Sequence, residues 1–132
     1  MIGLNRVKVE SIPSTPPTIL ESETFLADFG DVMIGDNSTV KSLTFDAEGL
    51  ISDVSVTAPA GFEISTDNIN WYMGADVSPV NGMLDDVEIY VRFKPTVVGP
   101  YSADITLTAD GATTKTVLVT GNGIRSEERR VG

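Results

Sequence analysis

Oxygen-bearing side chains crowd into two short stretches, Asp28, Asp31, Asp36 and Asn37 in one and Asp67, Asn68, Asn70 and Asp76 in the other. Hard oxygen ligands on loops are what calcium takes, although neither stretch has EF-hand spacing. The competing reading is a set of solvated carboxylates that keep a β protein soluble and guard its edges. Asp85-Asp86, or Asp28 with Asp31, could pair as the acid and base of a glycosidase, but adjacent strand residues point to opposite faces. Trp71-Tyr72 carries the one Trp of the chain and offers a stacking platform for a sugar, or else a core aromatic that closes one end of the fold. Asp28-Phe29-Gly30 matches the magnesium-binding tripeptide of protein kinases, without the glycine-rich loop, strand lysine and catalytic loop that such chemistry needs. Asn37-Ser38-Thr39 fits a glycosylation sequon, which matters only where a eukaryote secretes the chain.

Two residue types are missing, and their absence removes more chemistry than the clusters supply. With no His and no Cys there is no imidazole base, thiol nucleophile, disulfide, iron-sulfur cluster or ordinary zinc site. No Ser-His-Asp triad is available, and no G-x-S-x-G or P-loop pattern occurs. The expectation is no catalytic residue, no cofactor, and no metal beyond the calcium candidates Asp28, Asp31, Asp36, Asp67 and Asp76. Nine basic against nineteen acidic residues leave a net charge of -10, so phosphate backbones and anionic headgroups are repelled. Nucleic acid and membrane surfaces are therefore poor partners. Met1–Glu10 lacks an apolar run of signal-peptide length, and no apolar stretch is long enough to span a bilayer.

The elements that must position these groups read as strands. At 132 residues the chain suits one hydrophobic core. Val87, Ile89, Val91 and Phe93 alternate with polar neighbours, the period of a half-buried strand, and Tyr101, Ala103, Ile105 and Leu107 repeat the pattern. Asp110-Gly111 supplies residues that tolerate positive φ in a tight hairpin turn, and Thr114–Thr120 returns with Val117 and Val119 inward. Upstream, Val40–Asp46 places Leu43 and Phe45 inward, Ile51–Thr57 places Val54 and Val56 inward, and Phe62 pairs with Ile64. Glu21–Ala27 reads as an edge strand leading into Phe29-Gly30-Asp31-Val32, and Asn70–Met73 as a short strand. Trp71–Asp86 is the longest irregular stretch and suits a connection that crosses between sheets. No segment has helical spacing, which predicts an all-β, immunoglobulin-like antiparallel β-sandwich of about seven to eight strands.

Composition shifts mark the ends. Pro13, Pro16 and Pro17 within Ile12–Thr18 make a stiff extended linker. The last eight residues, Arg125–Gly132, resemble the in-frame translation of a sequencing-adaptor oligonucleotide or a polar disordered terminus. The expected organisation is an extension and linker over 1–18, the sandwich over 19–124 and a non-native or disordered tail over 125–132.

Four short elements recur in order: Phe29-Gly30-Asp31-Val32 with Gly35, Gly61-Phe62-Glu63-Ile64-Ser65, Phe93-Lys94-Pro95-Thr96 with Gly99 and Tyr101, and Val119-Thr120-Gly121-Asn122-Gly123. In physical terms Phe93 ends a core face, Pro95 stops the pairing, and Gly99 allows a turn that returns Tyr101 to the core. The ordered series, over roughly Ile19–Gly123, resembles the abnormal-spindle and hydin type of immunoglobulin-like domain, in the bacterial form repeated in secreted choice-of-anchor proteins. Pro100 and the strong acidity depart from that pattern. The resemblance implies a non-catalytic spacer or adhesion repeat of a larger secreted or cell-surface protein, with Phe29, Gly30, Gly35, Gly61, Phe62, Phe93, Pro95, Gly99, Tyr101, Gly121 and Gly123 as structural residues. Its partners would be neighbouring domains of the same chain and a protein or glycan ligand, with no membrane insertion. A phage virion or tail domain, a carbohydrate-binding module and an intracellular scaffold domain are the alternatives.

Overall fold

The computed structural model describes residues 16–125. Met1–Thr15, with Pro13 and most of the Pro-rich linker, and Ser126–Gly132, most of the anomalous tail, lie outside the described residues. Within them, nine strands follow one another: β1 (Thr18–Glu21), β2 (Asp31–Met33), β3 (Lys41–Glu48), β4 (Val54–Thr57), β5 (Phe62–Ser65), β6 (Gly74–Val77), β7 (Leu84–Phe93), β8 (Gly99–Thr108) and β9 (Lys115–Ile124). They make a four-stranded sheet of order β1-β3-β7-β5 and a five-stranded sheet of order β2-β9-β8-β4-β6. The first order matches the ABED sheet of an immunoglobulin sandwich, and β9-β8-β4 matches its GFC sheet, with one strand added at each edge.

Alternation decides which side chains fill the space between the sheets. Leu43, Phe45, Ile64, Ile89, Val91 and Phe93 from one sheet meet Val54, Val56, Ile105, Leu107, Val117 and Val119 from the other, all fully buried. Every one of these residues was legible from period-two spacing.

The two ends of the sandwich differ in what they join. At the leading pole Thr18 opens β1 opposite Glu48, the Leu50 N–H donates to the Gly82 carbonyl, the Asp110 N–H donates to Ser52 Oγ, and Pro17 lies beside Gly111. At the trailing pole β9 ends at Ile124, and the N–H groups of Gly35, Ser38 and Lys94 donate to the carbonyls of Pro95, Phe93 and Gly61. The described chain comes in at one pole and leaves at the other. The ten residues of β9 separate the two by roughly 30 Å.

Several expectations change. The strands number nine, and β2 runs parallel to β9 rather than antiparallel. Glu21–Ala27 is not an edge strand: after β1 the chain leaves the first sheet, and Phe25 already forms a parallel bridge to Leu118 of the second. Asn70–Met73 contributes only the Tyr72 bridge to Ile64, while the strand itself is β6, four residues later than expected. The stretch Trp71–Asp86 does cross between sheets, but it is ordered by β6 and by a two-residue turn at Asn81 (φ 53°) and Gly82 (φ 74°). That pair of left-handed residues is the primed turn whose twist matches its flanking strands. The β8–β9 connection is longer than a two-residue hairpin. Only Gly111 takes a left-handed φ there, and the Ala112 N–H closes the turn on the Ala109 carbonyl.

Candidate functional site

The residues of the four ordered elements converge on the trailing pole. Phe29 arrives just before β2, Phe62 opens β5, Phe93 closes β7 and Tyr101 lies near the start of β8, so one loop and three strands each deliver one ring. Phe62 and Phe93 sit 4.9 Å apart, Phe93 and Tyr101 5.0 Å, and Phe29 and Phe62 5.6 Å, mostly in edge-to-face or tilted arrangements. Such pairs contribute about 0.5–1.5 kcal/mol each beyond the area they bury. Lys41 Nζ caps the cluster, 5.6 Å over the Phe29 ring.

Small residues make room for the rings. A Cβ on Gly121 would lie 2.5 Å from the Phe93 ring, and one on Gly61 would collide with the Tyr101 ring at a φ of +88° that L side chains rarely adopt. At Gly123 a Cβ would strike the Val97 carbonyl oxygen and lie 2.9 Å from Pro95. Pro95 is buried, and its carbonyl accepts from Gly35. The Tyr101 hydroxyl accepts from the N–H groups of Thr96 (3.2 Å) and Val97 (3.0 Å), which fixes the loop between β7 and β8. Burial pushes the phenol up, but those two N–H groups and the Thr96 side chain outweigh it and leave Tyr101 below the ordinary tyrosine value.

The calcium candidates are dispersed. Asp28 accepts from the Thr120 hydroxyl and Asp31 from the Asn122 amide, each tying the β2 side to β9. Asp31 and Asp36 line one shallow recess of about 260 Å³ with Asn37 and Phe29. Asp67 belongs to a turn at the β5 edge, and Asp76 lies on β6 in the other sheet, where it accepts from Ser55. Asp67 is engaged within its own turn: Oδ1 accepts from the Ile69 and Asn70 N–H groups and the Ser65 hydroxyl, and Oδ2 from the Asn70 amide. The Asn70 and Ile69 N–H groups, with the Ser65 hydroxyl, hold it well below the usual carboxylate range. Among the described residues no three His, Cys, Asp or Glu side chains are grouped as a metal would need.

Trp71 is not a core aromatic. It is half-buried on the outer surface, where the Arg92 guanidinium stacks 4.3 Å from its ring and pairs with Glu63 at 2.7 Å. Tyr72 beside it is exposed. Sequence reading missed this stack, although its signal was present: Glu63 and Arg92 occupy outward positions of two strands that proved to be paired directly opposite. Asp85 and Asp86 are consecutive exposed residues of β7. Asp86 has a left-handed φ of 55° and its N–H donates to the Asp46 carboxylate beside a bulge in β3.

Comparison with protein-family models finds none that matches, and comparison with curated proteins finds no match either. Solved structures of similar form include an ASH/PapD-like domain of human CEP192, at 18% identity and TM-score 0.45, over 93% of this chain and 96% of that one. The CooA pilin subunit of enterotoxigenic Escherichia coli aligns at 12% identity and TM-score 0.41, over 83% of this chain and 99% of the pilin. The immunoglobulin-like assignment rests on the strand order and layers of the molecule itself.

Proposed function

We propose that this chain is a non-enzymatic spacer or adhesion repeat of a larger secreted or cell-surface bacterial protein, acting in series with neighbouring domains of the same polypeptide. The observation that carries the reading is that the described residues enter the sandwich at one pole, at β1, and leave it at the other, at the end of β9, so that copies strung together extend along one axis. Two further features support it. The residues of the ordered series build the trailing pole rather than a cleft. Pro16 and Pro17 precede β1 directly, where extended proline limits bending. A domain of this kind needs no cofactor, and its acidity disfavours nucleic acid as a partner.

Small-angle scattering on one, two and three copies joined end to end tests the reading. The expected result is a rod whose maximum dimension grows with each copy. A compact particle whose size barely changes between two and three copies would overturn it.

A further inference from the structure

The poles differ in charge, one acidic and one mixed with most of the cations, and are alike in exposed apolar surface. Of the five Lys and Arg side chains among the described residues, only Lys115 lies at the leading pole; Lys41, Lys94 and Arg125 lie at the trailing pole, with Arg92 nearby. The leading pole presents Glu48, Asp53, Asp85 and Asp110, all exposed, on the strand ends and turns tied together there. The trailing pole also holds carboxylates, but Asp28 and Asp31 accept from Thr120 and Asn122 and Glu63 is paired with Arg92, which leaves Asp36 as the acid of its outermost turn. Each pole also carries uncovered hydrocarbon. Ile51 (75% exposed), Val80 (72%) and Met83 flank the bonded Leu50–Gly82 pair at the leading pole, and Val97 (65%) with Val98 forms the tip of the trailing pole. That tip is preorganised, because the Tyr101 hydroxyl holds the Thr96 and Val97 N–H groups and Gly123 packs beneath the Val97 carbonyl.

We infer that the trailing pole of one copy seats on the leading pole of the next, the Val97-Val98 tip against Ile51, Val80 and Met83, with Lys94 and Lys41 facing Asp53, Asp85, Asp110 and Glu48. The inference rests on the series reading above and adds a defined, polar-ordered junction to it. Charge sets the direction: two leading poles brought together would oppose carboxylate to carboxylate, whereas head-to-tail contact sets Lys94 and Lys41 against those acids. An end-on contact is too small for a stable dimer of separate chains carrying a net charge of -10 each. Tethering raises the local concentration of the second pole to about millimolar, where a weak contact is populated.

The test uses two full-length copies in one polypeptide. Because the chain has no cysteine, a thiol at Ser102→Cys in the first copy and Thr116→Cys in the second, both exposed strand positions, can each take a spin label without competition. Dipolar spectroscopy at low salt is expected to show one narrow distance. That distance should broaden near 1 M salt, where the screening length falls to about 3 Å. Lys94→Glu in the first copy should broaden it at low salt, and Asp53→Lys with Asp110→Lys in the second copy should restore it. A broad distribution at every salt, in a particle that scattering still shows to be extended, overturns the junction and leaves the series reading standing. A narrow distance indifferent to salt and to both reversals also overturns it, since another surface then joins the copies. A compact particle overturns both readings.

Discussion

The trailing pole is held by packed rings and the leading pole by hydrogen bonds between turns. At the first, Phe29, Phe62, Phe93 and Tyr101 interlock over Gly61 and Gly121, and no ring moves without displacing another. At the second, single bonds such as Leu50 to Gly82 and Asp110 to Ser52 join loops that expose Ile51, Val80 and Asp110 and bury only Leu50 deeply. Close packing demands particular residues at particular places, while turns joined through backbone groups accept many sequences. That difference explains why the recognisable elements of this chain fall at one end.

The largest expected effect is Phe93→Ala, which empties the centre of the ring cluster and should cost about 3–5 kcal/mol. Tyr90→Ala, on the opposite face of the same strand, should cost well under half as much, read by chemical denaturation of both variants. Equal costs would mean that the packing contrast between the two faces is illusory.

Next comes a pair of glycines, one from each pole. Gly121→Ala drives a methyl into the Phe93 ring and should cost about 1–3 kcal/mol through overpacking. Gly111→Ala meets only Pro17, at 3.3 Å, so its cost reduces to the left-handed φ, on the order of 1 kcal/mol. If the leading-pole substitution proves the more damaging, the comparison between the poles is reversed.

Smaller still are two pH effects of opposite sign away from the ring cluster. Asp67 has a depressed folded value, so its contribution to stability is present above the ordinary aspartate value and is lost as the pH falls below it. Asp67→Asn should lower the melting temperature at neutral pH and flatten the acid limb of its pH profile. Glu21 is raised, by burial first and by Glu23, against the pull of Lys115, and its Oε2 is buried without a hydrogen-bond partner. Its favourable contribution is present below the ordinary glutamate value and disappears as the pH rises through the folded one. Glu21→Gln should therefore raise the melting temperature at neutral pH, and a loss there would contradict the assignment. The smallest effect expected is none: removing Arg125–Gly132, which follow the end of β9, should shift the melt by no more than a degree or two.

Local alternation was enough to identify the core, because in a two-layer sandwich each strand has one buried face and its period does not depend on its partners. That is why Leu43, Phe45, Ile89, Val91, Ile105, Leu107, Val117 and Val119 could be placed inward from the chain alone. Polar stretches carry no such period. β6, with its pattern of exposed and half-exposed residues, looked like part of a loop, and Glu21–Ala27 looked like one strand although it leaves one sheet for the other. Trp71 gave only its size, and whether it would sit inside depended on Arg92, a residue twenty-one positions away that offers it a guanidinium face. The sequence by itself determined which residues alternate, which turns are possible and which chemistries lack their side chains. Tertiary structure decided which carboxylates lie near one another, which rings meet, and that four of the five described Lys and Arg side chains gather toward one pole, because these are distances between strands that only their pairing and layering set.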